Sequence, residues 1–328
     1  MAHSAELATA LEAAQQAARI ARSLYRPDIA VRIKPDGSPV TEADVRCELA
    51  IREIIEARFP QHGFYGEETG TRDLDAESVW LVDPIDGTKA FVRHYSMFST
   101  QIALRRAGEI VLGVSSAPVY GELAFAERGQ GAYLNEGLVR VSTVTALESA
   151  VLSLGNMSSL ATGPQWGRYG QLAARVSRSR GYGDFLHYHL LAAGHLDVVV
   201  ETDINILDIA ACVAIVTEAG GHFTDLAGAP IGLGTRSVLA AANRSLHAAV
   251  LDALSWARNW GPRGARGVWG GLGGPGATGA SGARGASGAS GASGGSRASG
   301  GSGALGQRIS AALAVPISTS SRLAVCTQ

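Results

Sequence analysis

Apolar positions over about the first 260 residues follow helical and strand periods in alternating blocks. Leu7, Leu11, Ala14, Ala18, Ala21 and Tyr25 recur in steps of four and three, which predicts an amphipathic helix capped by Ser4 and ended by Pro27. A second helix is expected from Thr41 to Arg58, with Val45, Leu49 and the neighbouring isoleucines as its apolar face and Pro60 as its stop. The run Val79 to Val82 reads as a strand that enters the turn Asp83-Pro84-Ile85-Asp86-Gly87-Thr88, with a helical turn after it at Lys89 to Val92. Three further strands, Thr100 to Arg105, Ile110 to Ser116 and Leu123 to Glu127, are punctuated by Gly and Pro and suggest an antiparallel meander. Downstream, Asp184 to His195 reads as a helix and Leu196 to Glu201 as a buried strand. Leu207 to Ala219 reads as a helix stopped by Gly220-Gly221, Val238 to Ala241 as a strand and Leu246 to Leu254 as a last helix. Such alternation predicts a layered α/β or α+β domain, without internal repeats.

Composition changes this picture at one place. From Gly261 the chain becomes Gly, Ala, Ser and Arg, a texture that buries too little apolar surface to offset the entropy of ordering it. Residues 261–328 are therefore expected to be a flexible low-complexity tail behind a domain of residues 1–260. A functional linker and a reading-frame slip in an ancestral gene both account for it. At 328 residues and 46% apolar content, the chain is large enough for a true core. The formal charge of -1 lacks the basic surplus that nucleic-acid binding needs. Cys47, Cys212 and Cys326 form neither a CxxC pair nor a disulfide framework, which fits a reducing cytoplasm. Ser4 to Arg26 carry Glu6, Glu12, Arg19 and Arg22 and no continuous apolar core, so a signal peptide is not expected, and no apolar run reaches the length of a membrane span.

The candidate chemistry is acidic. Glu67 and Glu68 follow Gly66, Asp83 and Asp86 share the turn after a strand, and Asp208 opens a helix. Carboxylates so close repel one another unless a cation or a proton intervenes. An all-oxygen set without thiolate or paired imidazole favours Mg²⁺ or Mn²⁺ over zinc. Gly87 and Thr88 add backbone N–H groups suited to phosphate. Each piece alone has an ordinary reading: D-P-x-D-G is a common turn, Thr41-x-x-Asp44 a capping box, Glu-Glu a solvated face. His94, His187 and His189 read as surface or structural groups, the last two being too close in sequence to share a helix face.

In order along one chain, the pieces resemble the inositol monophosphatase superfamily. GEETG at 66–70, WLVDPIDGTKAFV at 80–92, GVSSAPVYGELAFAERGQGAYLNEG at 113–137 and LDIAACVAIVTEAGG at 207–221 carry the resemblance, which spans roughly residues 5 to 255. It implies a layered α-β-α-β-α sandwich, usually dimeric, and a Mg²⁺-dependent phosphomonoesterase acting on a small phosphorylated metabolite with two or three ions. By resemblance, Glu67, Asp83, the carbonyl of Ile85, Asp86 and Asp208 are the metal ligands. Asp44 in SPVTEAD would work with Thr88, and with Glu67, on the attacking water. Gly87 and Thr88 would hold the phosphate, and Glu201 would face the organic part of the substrate. One departure is Leu207, where the family often has an aromatic residue.

The segment RGYGDFLHYHLLAAGHLDVVVE at 180–201 and Lys89 in DGTKAFVR are similar to the histidinol-phosphatases of this superfamily. They imply that Tyr182, Gly183, Asp184, Glu201 and Asp208 contact the substrate. Asp184 could instead only cap its helix. Inositol 1-phosphate, other sugar or nucleotide monophosphates, and a non-catalytic binding protein of the same fold are the alternatives.

Overall fold

The computed structural model describes residues 3–254, and the expectations for 261–328 lie outside the described residues. The first layer is two helices, α1 (Ala5–Leu24) and α2 (Glu42–Arg58), linked through the antiparallel ribbon of β1 (Val31–Ile33) and β2 (Pro39–Thr41). Ser4 caps α1 by accepting from Leu7 N at 3.0 Å, and the helix ends at Leu24, two residues before Arg26-Pro27. The alanine-rich face of α1 (Ala10, Ala13, Ala14, Ala17, Ala21) is buried and lets α2 pack closely.

On α2 the expected face is corrected. Leu49 is 51% exposed, while Ala43, Asp44, Cys47, Glu48, Ile51 and Ile55 are buried. Two carboxylates go inside because they find donors there: Thr41 and Thr88 for Asp44, and the Glu68 and Thr69 N–H groups for Glu48.

The second layer is an eight-stranded sheet. Its strands are β3 (Gly63–Gly66), β4 (Gly70–Arg72), β5 (Ser78–Asp86), β6 (Ser99–Arg106), β7 (Glu109–Ala117), β8 (Glu122–Glu127), β9 (Ala132–Leu134) and β10 (Gly137–Val139). They run in the order β10-β9-β8-β7-β6-β5-β3-β4. The expected meander is β6-β7-β8, continued by β9 and β10, while the parallel β3–β5 pair carried no local signal. β5 is buried on both faces, which explains its continuous apolar run. Trp80 and Val82 enter the core under α1 and α2; Val79 and Leu81 enter the core on the opposite face.

The middle layer is α6 (Asp184–Ala192) and α7 (Ile206–Glu218). α7 is apolar almost all round because sheets cover it from two sides. A five-stranded sheet follows, of β11 (Val151–Gly155), β12 (Arg178–Arg180), β13 (Val198–Thr202), β14 (His222–Thr224) and β15 (Ser237–Ala241), in the order β12-β11-β13-β15-β14. Only β13 and β15 had a sequence signal. The last layer holds α4 (Met157–Thr162), α5 (Trp166–Arg175) and α8 (Arg244–Leu254), completing an α-β-α-β-α sandwich. The helix expected to reach His195 stops at Ala192, because Gly194 turns the chain at φ 75°. The short helix α3 (Thr88–Val92) directly follows β5.

Candidate active site

The site forms where β5 leaves its sheet. Pairing with β6 breaks register between Asp83 and Asp86, a bulge that turns successive acidic side chains toward one place. Asp83 remains buried and its Oδ1 accepts from Ile85 N at 2.9 Å, which holds the turn. Gly87 follows at φ 87°, and a Cβ there would stand 2.6 Å from Met97 O, so this corner requires glycine. From the middle layer, Asp208 enters in the first turn of α7, where a reciprocal cap holds it: Asn205 N donates to Asp208 Oδ2 at 2.8 Å, and Leu207 N donates to Asn205 Oδ1 at 3.0 Å. Oxygens of Asp83, Asp86 and Asp208 thereby come within 4.8 Å of one another.

These groups line an open cleft of about 680 Å³ together with Glu67, Ile85, Gly87, Thr88, Lys89 and Asp184. The start of α3, Gly87, Thr88 and Lys89, sits on this lining ahead of Ala90, the first residue whose N–H turns back to Gly87 O, at 2.8 Å. Thr88 Oγ1 reaches both Asp44 Oδ1 and Ile85 O at 3.0 Å. Behind it, Asp44 Oδ2 accepts from Thr41 N at 2.8 Å and Thr41 Oγ1 at 2.6 Å. Asp44 is thus a capping-box residue and a partner of Thr88 at once.

Burial, reinforced by neighbouring carboxylates, dominates the electrostatics. Burial pushes Asp83 well up, with Glu67, Asp86 and Asp208 adding to it. Asp86 is raised likewise by burial, Asp184, Asp208 and Glu201. Burial carries Asp208 up to about 7, against the pull of the Asn205 N–H, with Glu67, Glu201 and Asp184 raising it further. Asp184 is pushed up to about 6 by burial and Glu201, with His187 and Lys89 pulling the other way. A set of oxygen-only donors that resist ionising together fits a hard divalent cation, which removes the repulsion and satisfies the lone pairs. No histidine belongs to the cluster: His187 and His189 are buried with protein partners, and His94 is exposed and stacks on Tyr25.

On the substrate side, Asp184 and Asp208 line the cleft, whereas Tyr182, Gly183 and Glu201 are not among the lining residues. Glu201 lies one shell back, where Tyr188 Oη donates to its Oε2 at 2.6 Å and His187 Nε2 approaches at 3.1 Å. Asp184 does not cap α6. Gly183 occupies the cap position, and Asp184 is the first helical residue at φ 46°, a conformation uncommon for a side chain larger than glycine's.

Two functional neighbours escaped the sequence reading. Lys34 Nζ donates to Glu67 Oε1 at 2.8 Å and to Glu68 Oε1 at 2.6 Å. Burial pulls its ammonium down, but the two carboxylates outweigh this and hold it above the usual range. Nothing local marks Lys34, which arrives through the β1–β2 turn. Glu48 accepts from Glu68 N at 2.7 Å and Thr69 N at 2.6 Å, fixing the loop that carries Glu67. Its signal was available: Glu48 stands four residues after Asp44 and shares its helix face.

Clustered carboxylates at a strand end, beside the open amides of a helix start, define a metal-dependent phosphomonoesterase. The chain belongs to the inositol monophosphatase family, whose family model matches residues 3–257. It is 38% identical over 256 residues to the histidinol-phosphatase of Mycobacterium tuberculosis, covering 76% of this chain and 98% of that protein. It is 34% identical over 254 residues to the inositol-1-monophosphatase of Caulobacter vibrioides, covering 74% of this chain and 98% of that protein. Among solved structures, extragenic suppressor protein SuhB from Bartonella henselae matches with a TM-score of 0.70 and 32% identity, over 78% of this chain and all of that one. The chain is a metal-dependent phosphoric monoester hydrolase, and its substrate class is small phosphorylated molecules.

Proposed function

We propose that this enzyme is a magnesium-dependent histidinol-phosphatase, converting histidinol phosphate and water to histidinol and phosphate in histidine biosynthesis. The observation that carries the reading is Asp184, a carboxylate on the cleft wall beside the acidic cluster. Histidinol phosphate presents a protonated amine near its phosphate ester, and the phosphate end of the site gives that amine no preference. Similarity to the Mycobacterium tuberculosis histidinol-phosphatase supports it.

In this reading Glu67, Asp83, the Ile85 carbonyl, Asp86 and Asp208 would hold Mg²⁺, or Mn²⁺ in its place. Two or three bound ions would supply Lewis acidity toward the phosphoryl oxygens and the attacking water. Gly87 and Thr88 would receive phosphoryl oxygens on their N–H groups. Thr88 Oγ1 gives its hydrogen to Asp44 Oδ1 or Ile85 O, which leaves its lone pairs to accept from the water and orient it. Glu67, on the other side, would complete that orientation. Asp184 would pair with the substrate ammonium, and Glu201 behind it would keep that wall negative. The cleft takes no residue beyond Arg236 among the described ones, so we assign the chemistry to residues 1–260. On the family resemblance, and on the lack of a disulfide framework, we further assign a cytoplasmic homodimer.

A second reading, inositol-1-monophosphatase, is favoured by the similarity to the Caulobacter vibrioides enzyme. Phosphate release with Mg²⁺ from histidinol phosphate, inositol 1-phosphate and a nucleoside monophosphate decides between them. A higher kcat/KM for inositol 1-phosphate than for histidinol phosphate overturns the first.

A further inference from the structure

A buried polar chain runs from the metal-site carboxylate Asp86 to half-buried Glu122 on the far side of β7, and none of its inner members touches the cleft. Ser99 Oγ donates to Asp86 Oδ2 at 3.3 Å. The Gln101 amide donates to Ser99 Oγ at 2.8 Å and to Ser115 Oγ at 3.0 Å. Ser115 Oγ stands 2.8 Å from His189 Nε2, and His189 Nδ1 stands 2.8 Å from Glu122 Oε2. Ser99, Gln101, Ser115 and His189 are all buried, so water is not there to substitute for a lost partner.

Donor and acceptor rules fix every direction in this chain. Cys212 Sγ lies 3.8 Å from Gln101 Oε1 and donates to it, which orients the amide with its NH₂ toward both serines. Each serine accepts from that amide and has one hydrogen left. Ser99 must give its hydrogen to Asp86, and Ser115 must give its hydrogen to His189 Nε2. That requires neutral His189 with its proton on Nδ1, facing Glu122. Burial, which lowers His189 against the pull of Glu122, agrees with the neutral ring. The amide thus donates outward in two directions, and each direction ends on a carboxylate.

We propose that Gln101 and His189 are positioning residues for Asp86, acting through Ser99 to fix which lone pairs of Asp86 remain for a metal ion. Without the His189 acceptor, the Ser115 hydrogen turns to the Gln101 amide, which accepts it by flipping. The flip turns Oε1 toward both serines, and Ser99 then donates to Gln101 instead of Asp86. The carboxylate loses its tether and the cluster loses its set geometry. This inference rests on Asp86 being a metal ligand.

The test is calorimetric titration of Mn²⁺ into the metal-stripped full chain, with thermal midpoints in EDTA measured alongside. Asp86→Asn is the reference. Ser99→Ala and Gln101→Met should weaken Mn²⁺ binding about tenfold to a hundredfold, the scale of lost outer-shell partners. His189→Leu should weaken it about threefold to tenfold, because four hydrogen bonds separate His189 from Asp86. His189→Gln, which can offer a donor to Glu122 and an acceptor to Ser115, should return binding to within about twofold of the parent. If Asp86→Asn leaves Mn²⁺ binding unchanged, the ligand assignment itself fails. If Asp86→Asn abolishes binding while Ser99→Ala and Gln101→Met bind as the parent does, the positioning role alone is overturned. His189→Gln binding as weakly as a folded His189→Leu overturns the role of His189. Should His189→Leu fail to fold, His189→Gln binding Mn²⁺ more than about tenfold more weakly than the parent overturns the role of His189.

Discussion

Gly66 and Glu48 exclude any side chain between them: a Cβ on Gly66 would stand 2.5 Å from Glu48 Cδ. Glu48 is fully buried and its two oxygens take the N–H groups of Glu68 and Thr69. The glycine before Glu67 therefore exists so that a buried carboxylate can brace the loop presenting Glu67 to the cleft.

Gly66→Ala should displace Glu48 and free that loop. The expected loss is about 2–4 kcal/mol of unfolding free energy, from two charge-assisted bonds and a buried charge left without donors. Denaturant melts in EDTA measure it. Mn²⁺ affinity should fall in parallel because Glu67 is the next residue; unchanged affinity in a destabilised variant would reduce Glu48 to a loop brace without a role in the site.

Chelation should stop phosphate release and Mg²⁺ should restore it. Asp83→Asn should lower kcat by at least about a hundredfold, the scale of removing one group that stabilises developing charge. The variant should fold, since an asparagine oxygen can still accept from Ile85 N. Its melting temperature in EDTA should equal or exceed that of the parent, because a repelling charge is gone. Full turnover in EDTA would remove the metal from the mechanism.

The metal-free protein should be less stable at higher pH, by a calculable route. Burial and neighbouring carboxylates raise Asp208 from 3.8 to about 7. Between those values the folded chain keeps a proton that the unfolded chain has released. Stability from this group is therefore complete below the lower value and lost as pH rises through the upper one. Asp208→Asn removes this dependence and keeps an acceptor for Asn205 N. In EDTA, the variant should melt close to the parent at about pH 4 and above it at about pH 8. Saturating Mg²⁺ should narrow the gap at the higher pH by stabilising the parent. Equal melting temperatures throughout would mean that Asp208 is not strained by its neighbours.

Asp184→Asn tests the substrate assignment. Asparagine tolerates the positive φ of this position, so the backbone should hold. Removing the charge should lower kcat/KM for histidinol phosphate about tenfold to a hundredfold while sparing an uncharged polyol phosphate. An equal response to both substrates would leave Asp184 as a structural residue.

Cutting the chain after residue 260 should leave kcat for phosphate release within about twofold and the thermal midpoint unchanged, because the family match ends at residue 257 and the described cleft at Arg236. A large loss of either would show that the segment completes the site.

Much of this protein is written in short-range chemistry. The α1 period with its Ser4 cap, the apolar run of β5 and the D-P-I-D-G-T turn depend on neighbours a few residues away, so they could be read directly. The acidic residues of that turn, with Glu67 and Asp208, suggested a cation site by their charge, and the fold brings oxygens of Asp83, Asp86 and Asp208 together. What lay beyond reach was decided by which surfaces meet. Leu49 faces solvent and Glu48 the interior, because donors from the Glu68–Thr69 loop meet α2 on that face. Lys34 joins Glu67 only because the β1–β2 ribbon folds over the cleft, and Glu201 withdraws behind it because Tyr188 and His187 on α6 supply its donors. Periods and turns identify elements and charges identify chemistry, but hydrogen-bond partners separated by many residues are chosen by packing. Only the tertiary structure could therefore say which carboxylates face the cleft, which brace it, and that His189 and Gln101 connect to Asp86 at all.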